Sequence, residues 1–277
     1  MGYKILCDSC TDFTPEMETN PSFARIALTI DVDGREFVDD GTIRQEELLE
    51  ALRTSSGPTR TACPAPEAYA AHFEDAEDIY IVTLSERLSG SYNAATQAVK
   101  CYQEEGGTHN VYVFNSRSAS AGQVQAALKI QELAESGLAF SEVVSRTEQY
   151  LDDMDTMFVL ESLENLRKNG RLTKVQALVT GSLRIKLLMG ATPEGEIIKL
   201  GQGFTERQTL HKMITRAAES AGHIGKRLVI SHCNCLERAC YVRGLAEKLC
   251  HFREIIITAT GGISTVYAND GGIVIAY

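Results

Sequence analysis

Ile79-Tyr80-Ile81-Val82-Thr83-Leu84, followed by Ser85-Glu86-Arg87-Leu88-Ser89-Gly90-Ser91-Tyr92-Asn93-Ala94-Ala95, is the stretch that decides the fold. The apolar run reads as a buried strand. It ends in a turn rich in hydroxyls and glycine, and a helix starts there. A helix start leaves backbone N–H groups unpaired and carries a partial positive charge, so it can hold an anion. Ser85, Ser89 and Ser91 converge on that spot. No lysine follows the glycine, so this is not a nucleotide P-loop of the Walker type. The turn suits a small anion such as a carboxylate. The same serines also fit an ordinary N-cap cluster, because Ser is a favoured cap anywhere.

Outward from this unit, short apolar runs alternate with amphipathic patterns. Strands are predicted at Lys4–Cys7, Arg25–Ile30, Ile79–Leu84, Val111–Phe114, Thr156–Leu160, Glu196–Leu200, Arg227–Ser231, Glu254–Thr258 and Ile273–Tyr277. Helices are predicted at Gln45–Arg53, Val124–Glu135, Glu142–Met154 with Ser141 as N-cap, Glu206–Ser220 and Leu236–Leu249. In Val124–Glu135 the residues Val124, Ala127, Leu128 and Leu133 share one face, and Gly137 follows as a C-terminal stop. Strand–helix alternation argues α/β with a mostly parallel sheet. Around Gly181–Gly203 two extended segments flank Pro193-Glu194-Gly195-Glu196 as a hairpin, and helix–strand–helix–strand follows. The fold expected is therefore α/β with two domains. A parallel-sheet N-terminal domain spans 1–158, and an α+β C-terminal domain with a mixed sheet spans 159–277. The segment near 58–70 crosses over to pack with the second.

Composition excludes several classes. The chain of 277 residues has 44% hydrophobic and 23% charged residues, ordinary for a globular protein, and a net charge of -10. An acidic balance argues against a nucleic-acid footprint. No apolar run reaches the roughly 18 residues that span a bilayer. The N-terminus enters a strand at once, without a secretory signal, so the chain reads as cytoplasmic with eight reduced cysteines. Cys7 and Cys10 form a C-x-x-C, but a turn, not a helix, follows it. His232, Cys233, Cys235 and Cys240 match no common zinc spacing, and no metal is expected.

Four polar segments fall where strands end, which is where open α/β sheets bind ligands. Asp8-Ser9-Cys10-Thr11-Asp12 is the first; Asp8 either meets a ligand or closes an Asx turn. Arg60-Thr61-Ala62-Cys63-Pro64-Ala65-Pro66 is the second, a stiff extended segment that would hold Thr61 at a fixed orientation. The Ser85–Ser91 turn is the third. The fourth is Leu163-Glu164-Asn165-Leu166-Arg167-Lys168-Asn169-Gly170-Arg171-Leu172-Thr173-Lys174, a short helix stopped by Gly170. Arg171 then stands free to meet an anion bidentately, and Lys168 and Lys174 read as surface charges. No histidine neighbours a nucleophile, and His232 at a strand end is the one to watch. Hydroxyls and one arginine without a general base make a binding site more than a catalytic one.

Together these segments resemble the DegV family of bacterial lipid-binding proteins, the fatty-acid-binding subunits of fatty acid kinase. Lys4–Asp12 is similar to the family's K-I-x-x-D-S-x-x-D, Thr61–Pro66 to T-S-Q-P-S-P, Leu88–Tyr92 to L-S-G-T-Y and Leu163–Lys174 to L-E-N-L-x-K-G-G-R-I-x-K. The resemblance implies one long-chain fatty acid buried between two domains and no other cofactor. It implies a carboxylate held by Thr61 and by Ser89, Gly90 and Ser91 of the turn, with Arg171 nearby on the surface. It also implies presentation to a separate ATP-dependent kinase subunit, so that the protein itself is not an enzyme. The sequence departs from the family in three places. Tyr267-Ala268-Asn269-Asp270-Gly271-Gly272-Ile273 stands in place of G-T-H-T-G-P-G, which leaves Asn269 near the head group and Asp270 to point outward or to face a ligand bound partly neutral. Lys186-Leu187-Leu188-Met189 replaces K-P-I-L, and Ala62-Cys63 replaces S-Q. A small phosphotransferase or hydrolase using Asp8, Ser89 and Arg171 around a phosphate is the alternative reading.

Overall fold

The computed structural model describes residues 2–172 and 185–277. Thr173, Lys174 and the first residues of the Gly181–Gly203 segment lie outside the described residues. The strands are β1 (Tyr3–Asp8), β2 (Phe23–Ile26), β3 (Thr29–Val32), β4 (Arg35–Val38), β5 (Arg60–Ala62), β6 (Asp78–Thr83), β7 (Asn110–Asn115), β8 (Thr156–Val159), β9 (Lys186–Ala191), β10 (Ile197–Gly203), β11 (Arg227–His232), β12 (Glu254–Ala259) and β13 (Ile273–Ala276). The helices are α1 (Pro15–Thr19), α2 (Gln45–Thr54), α3 (Pro66–Ala70), α4 (Ser91–Glu104), α5 (Ala121–Glu135), α6 (Phe140–Asp152), α7 (Glu164–Lys168), α8 (Glu206–Glu219), α9 (Leu236–Leu249) and α10 (Gly262–Ala268).

Three sheets result among the described residues. A parallel sheet runs β2-β1-β6-β7, a mixed sheet runs β10-β9-β8-β13-β11-β12, and a small antiparallel sheet runs β4-β3-β5. The parallel strands are nearly continuous apolar runs because both faces are covered. Ile79 and Ile81 pack with Tyr69 and Phe73 on one side, and Tyr80 and Val82 with α5 residues on the other.

Helix α5 lies between the two large sheets. One apolar face was expected on it; the structure buries it nearly all round, from Ala121 to Ala127. A helix between two sheets has no solvent side, so its polar residues must find partners. Gln123 donates to Asp8 Oδ1 at 2.8 Å and to Thr11 Oγ1 at 3.1 Å on the parallel-sheet side. Gln125 donates to the carbonyls of Arg227 (2.7 Å) and Ala276 (2.8 Å) in the mixed sheet, and accepts from Tyr150. Two polar side chains two residues apart thus tie one helix to two sheets.

Local expectations and structure differ at three places. Arg25–Ile30, expected as one strand, is β2 and β3 in separate sheets. Leu28 makes the break: Ser9 Oγ accepts from its N–H, and its carbonyl accepts from Asp39 N. Strands β4 and β5 went unread because they are short and mostly exposed; Phe37 is the only buried residue of β4. Helix α6 begins at Phe140, not after Ser141, and Ala139 caps it without a side-chain bond. Packing outweighs the cap there, since the Phe140 ring stacks on Tyr80 at 5.0 Å.

Candidate functional site

The turn after β6 is built by exchanges with three other segments. Leu84 N donates to Asp8 Oδ2 at 2.8 Å and Ser85 N to the Ser118 carbonyl at 2.8 Å. Ser85 Oγ donates to the carbonyl of Gly195, at the tip of the β9–β10 hairpin, at 2.8 Å. Ser85 is therefore spent on holding the hairpin. Ser89 and Ser91 remain paired, their hydroxyls 3.1 Å apart, and Ser91 N donates to Ser89 Oγ. Gly90 is the N-cap of α4 and has no side-chain cap, so the helix start stays open above the pair.

Thr61 reaches the same place from β5. Its hydroxyl and that of Tyr267 share a hydrogen bond of 2.7 Å. Arg171 follows Gly170, whose φ of +75° ends the α7 turn. Its Nε donates to the Leu88 carbonyl at 3.1 Å, a second nitrogen donates to the Asn169 carbonyl, and its guanidinium carbon lies 5.9 Å from the Tyr267 ring centroid. Sequence reasoning assigned no role to Tyr267. No local motif marks it; its place depends on α10 docking against segments about two hundred residues earlier in the chain.

Beside this cluster lies an apolar cavity between the parallel and mixed sheets. It holds about 760 Å³ of atom-free space, its open end included. Leu84, Leu88, Phe158, Leu160, Ile197 and Val274 contribute walls from both halves of the chain. Arg171 and Tyr267 are in its wall as well. Arg171, expected on the nearby surface, is thus half-buried at the cavity. Thr61, Ser89, Gly90 and Ser91 are not in the wall themselves; they adjoin it through Tyr267 and Leu88.

Three aspartates are buried around these loops. Asp8 accepts from Leu84 N, Cys10 N and Gln123 and closes an Asx turn, so its oxygens are occupied. This leaves it unsuited to the phosphate chemistry of the alternative reading. Asp12 accepts from Gly261 N and from Ser120, and Asp39 from Gly262 N and Ile263 N, so both anchor the start of α10. Burial pushes all three carboxyls up, against the pull of these hydrogen bonds, Asp8 to about 6. A carboxyl raised in the folded state binds protons there that it has lost in the unfolded chain. The Asp8 contribution to stability is therefore full below the ordinary range near 4 and declines as pH rises through about 6, at about 1.4 kcal/mol per unit. Asp8→Asn is expected to flatten that decline while lowering stability at every pH, because an amide nitrogen must then face one of the backbone donors. Denaturant midpoints from pH 4 to 8 measure both; a wild-type slope that persists in the variant refutes the assignment.

The loop after α10 resolves the question of Asp270. Its side chain is exposed and accepts from Asn234 Nδ2 at 3.0 Å, so it points away from the site. Asn269 caps α10 with φ +56°, and its Nδ2 is buried with no hydrogen-bond partner. His232 Nδ1 accepts from Cys235 N, a loop-holding role, and burial lowers its pKa. Cys7 and Cys10 are free, buried, and pushed up by burial, which makes them inert thiols. No group of three or more His, Cys, Asp or Glu among the described residues is placed to hold a metal, and no described helix is long and apolar enough to cross a membrane.

Known proteins match the chain over its whole length. The family model DegV, described as an uncharacterised protein of that family, matches residues 3–277. A DegV domain-containing protein of Streptococcus pneumoniae is 32% identical over 283 residues, covering 100% of this chain and 99% of its own. A DegV family crystal structure from Ruminococcus gnavus, refined with vaccenic acid, has a TM-score of 0.96 at 44% identity and covers 100% and 99% of the two chains. The Streptococcus pneumoniae fatty acid kinase (Fak) B3 protein loaded with linoleic acid has a TM-score of 0.91 at 30% identity, with the same coverage. With a family model spanning residues 3–277 and this fold, the chain belongs to the DegV family.

Proposed function

We propose that this protein binds one long-chain fatty acid in the cavity between its two domains, 1–158 and 159–277, and presents the carboxylate to a separate ATP-dependent kinase subunit in the cytoplasm. The observation that carries the reading is an apolar cavity with the guanidinium of Arg171 in its wall beside a hydroxyl cluster, while the other arginine of the wall, Arg117, is paired with Asp152. Fatty acids in two similar structures, vaccenic and linoleic, support it. An acyl chain leaving water gains about 0.8 kcal/mol per methylene. A carboxylate leaving water with it needs donors, or its desolvation outweighs that gain. Thr61, Ser89, Ser91 and the open N–H groups at Gly90 supply them, with Arg171 as counter-charge. Asn269, next in sequence to the wall residue Ala268 and with a buried and unpartnered amide nitrogen, is a further candidate donor. None of these groups is a base or a nucleophile poised for transfer, which favours a carrier over an enzyme.

The double variant Thr61→Ala/Ser89→Ala tests this. Each change removes a donor to a charged group, worth about 1.5–3 kcal/mol. Affinity for a labelled fatty acid is expected to fall at least tenfold while the denaturation midpoint moves little. Wild-type affinity in the double variant refutes the clamp. Native mass spectrometry of the purified protein tests the ligand class, with a bound fatty acid expected and a phosphorylated metabolite the contrary result.

A further inference from the structure

Arg117, the other arginine of the cavity wall, lies at the end away from Arg171. Thr156, Phe158 and Leu160 alternate onto one face of β8 and its extension, and all three are in the wall, so the cavity runs along them for about 13 Å. Leu160 leads towards α7 and Arg171, and Thr156 is at the opposite end. There the Thr156 and Ser118 hydroxyls are spent on each other at 2.7 Å, with Ala191 and Arg117 beside them in the wall. A second, polar cavity lies behind the same residues: Arg117, Thr156 and Ala191 line both, and Asp152 and Asp155 line the second alone. One layer of side chains therefore separates the two, and Arg117 is the long one in it. Its Nη1 donates to Asp152 Oδ1 at 2.7 Å and its Nη2 lies 3.9 Å from Glu148, so α6 draws the guanidinium to the polar side. The aliphatic stem is left for the apolar side, the usual split of a long charged side chain at such a boundary. The backbone marks the same residue. Arg117 has φ +51°, a region that non-glycine residues rarely enter and that persists only where surrounding contacts impose it. Asn115 Oδ1 accepts from its N–H at 3.1 Å, and the β9–β10 tip packs on its Cα.

We propose that Arg117 is the stopper of the acyl tail, a role that rests on the fatty-acid reading given above: its stem closes the far end against the polar cavity and so sets the longest acyl chain the protein accepts. A methyl end that reaches the stem stays among carbon atoms. A longer chain has to push the stem aside and break the Asp152 hydrogen bond. Its extra methylenes then enter a space lined by carboxylates, where they gain nothing from burial.

The test measures the affinity of the full chain for oleate and for erucate, a longer homologue with the same methyl-terminal half. Wild type is expected to prefer oleate; equal affinity for the two overturns the inference. Arg117→Gly removes the stem, and glycine adopts the positive φ freely. This variant is expected to bind oleate as wild type does and to narrow the preference over erucate at least about tenfold. Arg117→Lys keeps a stem and is expected to keep the preference. A general loosening of the fold weakens both acids together and leaves their ratio in place. An unchanged ratio in Arg117→Gly overturns the inference and leaves the fatty-acid reading standing. Ala191→Leu fills the same end from the cavity side and decides the matter should Arg117→Gly not fold. It is expected to shift the preference from oleate towards the shorter myristate at least about tenfold, and an unchanged ratio of those two acids likewise overturns the inference. Failure of the wild type to bind any of the three acids overturns both.

Discussion

Gly195→Ala is expected to lower stability by about 2–4 kcal/mol and to abolish fatty acid binding. Gly195 has φ +84°, a conformation an L side chain rarely adopts. A Cβ there would also lie 2.3 Å from Ser85 Oγ and 2.8 and 2.9 Å from the Cα and carbonyl oxygen of Arg117. The last two contacts are backbone, so the hairpin tip has to lift off the loop after β7 and with it off Ser85 in the β6 turn. Lifting it breaks the Ser85–Gly195 hydrogen bond and withdraws Gly195 and Ile197 from the cavity wall. Gly201→Ala in the same hairpin is the control. Its Cβ would meet Leu188 at 3.8 Å, an ordinary contact, and its φ is not positive. Urea midpoints that fall equally for both variants show that docking of the tip is not what holds the hairpin.

Arg171→Ala is expected to weaken fatty acid binding by about a hundredfold, in line with a charge-assisted hydrogen bond of 1.5–3 kcal/mol. The structure sets this expectation, because Arg171 is in the cavity wall and its Nε is anchored by the Leu88 carbonyl. Arg171→Lys keeps the charge but loses the planar fork, and an intermediate affinity is expected. The fold should survive both changes, since the two carbonyls released lie at a partly exposed edge. Unchanged affinity in Arg171→Ala, together with loss of acyl phosphate formation in an assay with the kinase subunit, moves Arg171 to the partner-facing surface.

Much of this protein follows from short-range pattern. The strand before Ser85, the helix from Ser91, the stop at Gly170 and the turn at Gly195 are each set by residues within a few positions: apolar runs, caps and positive-φ glycines. The mixed sheet of the second half was equally readable from its hairpin and its alternating elements. What went unread were β4 and β5, short strands with little buried apolar surface of their own. Helix α5 was half-read: periodicity reveals a buried face, but burial on the opposite face comes from a second sheet that the local pattern cannot announce.

The site divides along the same line. Ser85, Ser89 and Ser91 have the same chemistry in one turn, and nothing local separates them. The hairpin tip occupies Ser85 and leaves Ser89 and Ser91 paired beside the cavity. Asp8 was legible as a loop organiser, but its three donors come from its own turn, from β6 and from α5. The Thr61–Tyr267 bond joins residues 206 positions apart, and Arg171 becomes part of the cavity through the carbonyl of Leu88. Sequence alone determined the parts: which residues end strands, start helices and carry hydroxyls or charge, because those choices depend on neighbours along the chain. Tertiary structure alone decided which hydroxyls are spent and which remain, because a hydrogen bond is satisfied by whatever the fold brings within about 3 Å.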